Sequence, residues 1–78
     1  MKYLVKVTME YQGKKHNTYY GKEKIKLITE ERVRRLGYTT EERAKRNYHY
    51  KHYSEEAEKG KSMLGVTVSV SVVPFPVN

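Results

Sequence analysis

Lys2-Tyr3-Leu4-Val5-Lys6-Val7-Thr8-Met9-Glu10-Tyr11 is the stretch that decides the fold class. Tyr3, Val5, Val7, Met9 and Tyr11 alternate strictly with Lys2, Leu4, Lys6, Thr8 and Glu10, and a period of two is the mark of a strand with one face buried. Going forward, Gln12-Gly13-Lys14-Lys15 supplies a polar turn, and His16 to Leu27 reads as a second strand, which makes a hairpin. Its register is less regular. Ile25 and Leu27 share a face with Glu23 and Tyr19, while Lys22, Lys24 and Lys26 share the other with Tyr20. A bulge at Gly21 would reconcile the two by turning Tyr20 inward.

Beyond the hairpin, Thr29-Glu30-Glu31 opens a short helix, with threonine as N-cap, glutamates at the positive end of the dipole, and Val33 and Leu36 as inward anchors. Gly37 is expected to end it as a left-handed cap. Thr39 and Glu42 stand at capping-box spacing and start a longer helix that runs to about Lys59, where Gly60 stops it. Its inward stripe is Ala44, Tyr48, Tyr53 and Ala57, which offers little burial. The heptad from Thr29 to Arg35 recurs eleven residues later from Thr40 to Arg46, as the same helix-start chemistry used twice rather than as a solenoid repeat. Met63 to Val73 is a third strand, with Val66, Val68, Val70 and Val72 inward and Thr67, Ser69 and Ser71 outward; Pro74 and Pro76 end it. The expected fold is therefore α+β in the order β-β-α-α-β: an antiparallel three-stranded sheet, order 2-1-3, with both helices on one face. Residues 1–78 read as one domain, composed of a basic hairpin (1–28), two helices (29–60) and a C-terminal strand (62–75).

Composition narrows the chemistry. Of 78 residues 37% are hydrophobic, and eight of those are tyrosines with a polar tip, so the core is thin. A chain of this length buries roughly 60% of its unfolded surface, which leaves little scaffold for a deep substrate cleft. Without cysteine there is no disulfide, zinc ribbon or thiol nucleophile, and without aspartate the usual carboxylate cages lose their commonest ligand. No apolar run approaches ~20 residues and no leader stands out. The expectation is a soluble, cytoplasmic, non-enzymatic protein with no cofactor, no metal and no membrane partner.

The net charge is +7, and its distribution says more than its total. In residues 1–28 seven lysines face only Glu10 and Glu23, whereas residues 40–60 balance and nothing beyond Ser62 is charged. Alternation along paired strands would gather Lys2, Lys6, Lys22, Lys24 and Lys26 on the outer hairpin face beside Tyr20 or Thr18. Such an array suits phosphate backbone, with an aromatic to stack on bases; in the simpler alternative the lysines only keep the sheet soluble. Arg34, Arg35 and Arg46 flank the turn between the helices, and Tyr50 is the helix tyrosine left facing out, a combination enriched at protein interfaces. A base-reading helix-turn-helix fits poorly, since glutamates occupy both helix starts. His49, His52 and Glu56 share a helix face but lack the partners that orient metal ligands. The uncharged C-terminal strand would template aggregation as a bare edge, so a central position, an added strand or a homodimer through it is expected to cover it.

The run from Tyr20 through Gly37-Tyr38 resembles a strand-helix-Gly-aromatic module of small bacteriophage and mobile-element proteins. The resemblance covers about a quarter of the chain and carries no catalytic residue. It implies a non-enzymatic role such as a regulator, a structural accessory or an inhibitor of host defences. Residues and resemblance together give the leading expectation, a small binding protein that contacts nucleic acid or a nucleoprotein through its basic hairpin. The alternative is a phage-type inhibitor of a host nucleic-acid enzyme or defence system, such as an anti-CRISPR, acting on a host protein in the bacterial cytoplasm.

Overall fold

The computed structural model describes residues 1–60 and 64–77. Its elements run β1 (Lys2–Tyr11), β2 (Lys14–Tyr20), β3 (Lys24–Ile25), α1 (Glu30–Leu36), α2 (Glu41–Lys45), α3 (Tyr48–Glu58) and β4 (Thr67–Phe75). The strands form one antiparallel sheet ordered β3-β2-β1-β4. The class is α+β, but the expected three-stranded sheet with two helices on one face is incorrect in its strand count, its helix count and the placement of the helices.

The strand count changes at Gly21. Gln12 and Gly13, at φ 50° and 77°, make the two-residue hairpin turn that matches strand twist, and β2 then runs only to Tyr20. Instead of bulging, the chain folds back. The Gly21 amide donates to the Glu23 carbonyl at 3.0 Å and the Lys22 amide to the Leu36 carbonyl at 2.8 Å. Lys24 and Ile25 then return antiparallel beside Tyr20 and Tyr19. Only glycine fits at the corner, because a Cβ there would lie 2.2 Å from the Leu36 oxygen.

The helix count changes at Asn47. The segment expected as one helix breaks there, where φ −60° and ψ 139° are extended and the Asn47 side chain caps α3 by accepting from the His49 amide. Thr40, not Thr39, caps α2, accepting from Arg43 N.

The placement of the helices follows from parity along β1. Val5 faces Tyr20 and Val72, and Val7 faces Thr18 and Val70. On that side Val5, Val7, Tyr20 and Ala44 are buried, with Tyr38, Tyr50 and Tyr53 packed against them. Leu4 belongs to the other side, where alternation expects solvent, yet it is fully buried in a second cluster with Ile25 and Val33. Burying such a side chain is worth roughly 1.5–3 kcal/mol, so α1 covers one face while α2 and α3 cover the opposite one.

The chain crosses between the faces at Tyr38. Tyr3 N donates to Tyr38 O at 2.8 Å and Tyr38 N returns to Tyr3 O at 2.9 Å, continuing the sheet where β2 has left it. Gly37 precedes this bridge in extended backbone (φ −72°, ψ 156°), so it is not the expected left-handed cap. Its lack of a side chain is needed because a Cβ would meet Val33 O at 2.5 Å and Lys2 Cβ at 2.8 Å.

At the C-terminus, β4 takes the edge and includes Pro74. Val68, Val70 and Val72 pack inward, and Thr67, Ser69 and Ser71 are exposed. The expected start of this strand at residues 62–63 lies outside the described residues, and Leu64 to Val66, expected within it, precede its observed start at Thr67.

Candidate nucleic-acid interface

The lysines expected to converge divide into two groups. Lys6 lies between Tyr19 and Ser71 on the α1 side of the sheet, half-buried, and Lys2 is half-buried with its Cβ against Gly37. Lys22, Lys24 and Lys26 are all exposed and follow the far edge, formed by β3 and its flanking turns. The single cationic hairpin face therefore does not form. The fold-back at Gly21 removes the second half of the expected strand from the plane that would have aligned these side chains.

Tyr20 joins neither group. It pairs with Val5, on the opposite face from Lys6, and only 8% of it is exposed. Its ring stacks on His49 at 3.9 Å between centroids and 16° between planes. Burial, with Tyr53 beside it, raises its pKa above the usual 10.0. No nucleic-acid base reaches this ring in the folded chain.

The β3 edge gains cations from α1 instead. Val33 packs on Ile25 in the second core cluster, so α1 lies across β3. The Arg32 guanidinium donates to the Leu27 carbonyl at 3.2 Å, which holds it next to the segment that carries Lys26. The Lys22–Leu36 backbone bond brings Lys22 to the last turn of α1, where Arg34 and Arg35 sit. Arg34 is engaged by Glu30 at 2.7 Å; Arg35 is exposed. Lys22, Lys26, Arg32 and Arg35 thus border one sheet edge, from which Lys24, paired with Tyr20, projects to the opposite face, a grouping that sequence reasoning missed because it placed α1 over the wrong face. Leu27 and Ile28, 61% and 36% exposed, give that edge an apolar border.

The remaining expected contact residues are dispersed. Arg46 is the exposed C-cap of α2. Tyr50 packs against the Val5–Val7 core, whereas Tyr48 is 71% exposed, the reverse of the expected assignment. Restarting the helix at Asn47 rotates the following residues, and Asn47 itself, a preferred N-cap type, was the available signal. Tyr48 stacks on His52 at 5.8 Å and 8°. His49 is turned onto Tyr20, and edge contacts of Tyr48 with His49 and of His52 with Tyr53 join the two histidines in one aromatic cluster. Among the described residues no three His or acidic side chains gather as metal ligands, no cavity opens, and no helix is long and apolar enough to cross a membrane.

Compared with protein-family models, curated proteins and solved structures, the chain matches none.

Proposed function

We propose that this chain is a small non-catalytic binding protein that contacts nucleic acid, alone or within a nucleoprotein, through the cationic rim of β3 and α1. The observation that carries this reading is the exposure of Lys22, Lys24 and Lys26 along a sheet edge that α1 supplements with Arg32 and Arg35. The ion pairs among the described residues engage Arg34 and Lys59, neither of which belongs to this edge group, whose charges are thus available to phosphate. Lysines on a short strand and arginines on a helix suit backbone contact, which positions a protein without reading sequence. In this reading the protein acts in the cytoplasm, of a bacterial host if the module resemblance reflects its origin.

Titration of labelled single- and double-stranded DNA and RNA at several salt concentrations tests the proposal. Binding should weaken steeply as salt rises. Failure to bind any of the four near ~50 mM salt would defeat it.

One observation favours a second reading, the phage-type inhibitor acting on a host protein. Tyr48, exposed and stacked on His52 just beyond the exposed Arg46, is the kind of aromatic anchor that dominates protein interfaces. Tyr48→Ala separates the two. It should leave nucleic-acid affinity intact and abolish inhibition of a target enzyme.

A further inference from the structure

The two sheet edges differ in kind. β3 is two residues long, contains Lys24 and is flanked by Lys22 and Lys26, the usual protection against edge pairing. β4 is nine residues long, no charged residue occurs from Leu64 to Val77, and among the described residues nothing pairs with its outer side.

The Tyr3–Tyr38 bridge fixes which β4 groups face outward. In an antiparallel sheet a residue's N–H and C=O point to the same side. Tyr3 spends both on Tyr38, so at the Tyr3–Pro74 pair neither strand bonds the other. Counting back by twos, the backbone groups of Pro74, Val72, Val70 and Val68 point away from β1. Pro74, which has no N–H, thereby costs the ladder nothing.

We propose that β4 pairs antiparallel with β4 of a second copy of this chain, about a twofold axis at Val70, joining two four-stranded sheets into one. Val70 meets its own counterpart and Val68 meets Val72, each pair exchanging both backbone hydrogen bonds because these are the outward-facing groups. Ser69 meets Ser71 on the solvent side, so the seam carries no charge although each chain carries +7. The pairing stops at Pro74.

Helix α3 carries opposite charges toward its two ends on one flank. Tyr50 and Tyr53 face the core and His49 leans toward β2 through Tyr20, so the flank away from β2 carries Lys51, Ser54 and Glu58. Lys51 and Glu58 stand two turns apart with Ser54 between them, and neither forms an ion pair within the described chain. A twofold axis that reverses β4 also reverses α3, so these flanks of the two copies run antiparallel, with the Lys51 end of one toward the Glu58 end of the other.

Sedimentation equilibrium of the full chain tests this. The expected mass at high concentration is twice 9.2 kDa, in reversible exchange with monomer. In Ser69→Glu/Ser71→Glu, like charges oppose each other directly across the seam, while the carboxylate introduced at position 71 gains Lys6 as its neighbour within the chain; this variant should be folded by circular dichroism and monomeric. N-methylation of the Val70 amide in synthetic full-length chain keeps every side chain and should have the same effect. Lys51→Glu should raise the dimer Kd roughly tenfold, and Lys51→Glu/Glu58→Lys should restore it. A monomer at all concentrations up to ~1 mM, or a dimer that survives Ser69→Glu/Ser71→Glu, would overturn the edge pairing. A dimer indifferent to Lys51→Glu would overturn the α3–α3 contact.

Discussion

Asn47 donates its side-chain amide to the Gly21 carbonyl at 3.0 Å, spanning 26 positions of sequence. The same Nδ2 donates to the Tyr38 hydroxyl at 2.7 Å, that hydroxyl donates to Gly21 O at 3.1 Å, and Asn47 Oδ1 accepts from His49 N at 2.7 Å. One side chain thus uses both donors and its acceptor to restart a helix and lock it to the end of β2. Removing an N-cap costs ~1 kcal/mol and each part-buried hydrogen bond about as much again. Asn47→Ala should therefore lose ~2–4 kcal/mol in urea unfolding. Asn47→Asp keeps the cap and loses both donations, so it should fall between. Stability equal to the parent in the aspartate variant would show that the link to Gly21 is idle.

Gly21 and Gly13 make an informative pair. A Cβ at Gly21 would lie 2.2 Å from Leu36 O, whereas at Gly13, φ +77°, it would meet nothing within 4 Å. Gly13→Ala should cost ~1 kcal/mol, the strain of a left-handed alanine. Gly21→Ala forces β2 away from α1 and should cost at least ~3 kcal/mol. Equal losses in denaturant titrations would contradict the account of the fold-back at this corner.

The hairpin, the Thr29 cap and the inward valines of β4 were legible because each is a local pattern. The strand–corner–strand at Gly21 was not, since its cause is the Leu36 carbonyl fifteen residues away, which no window along β2 contains. The same limit hid the two-sided sheet. Leu4 among Lys2 and Lys6 reads as a solvent-side residue until α1 is placed over it. The cationic edge was half legible: Lys22, Lys24 and Lys26 are exposed along it, but Lys24 projects to the face of its partner Tyr20 and the edge is joined by α1 with Arg32 and Arg35 rather than by Lys2 and Lys6.

Tyr20 should couple stability to alkaline pH. Burial first, then Tyr53, raises its pKa above 10.0 in the folded chain, so the unfolded chain releases this proton first. The stabilisation is fully present below about pH 10 and is lost as pH climbs from there through the folded pKa. Urea midpoints measured from about pH 8 to 11 should fall less for Tyr20→Phe than for the parent. Parallel curves would mean that Tyr20 ionises as readily folded as unfolded.

Replacing Lys22, Lys24 and Lys26 with glutamine removes three exposed charges and no buried group, so fold stability should change by no more than ~0.5 kcal/mol per site. If the three contact phosphate, the slope of log K against log salt should flatten by about 0.9 for each charge on duplex DNA. Lys2→Gln/Lys6→Gln is the matched control, because those side chains are half-buried on the sheet face and their loss should leave the slope nearly unchanged. The comparison distinguishes a rim from a face. A slope that responds to the Lys2/Lys6 pair and ignores the β3 edge would place the contact on the hairpin surface and exclude the rim. A uniform response per charge removed would point to diffuse attraction by a +7 chain with no defined interface.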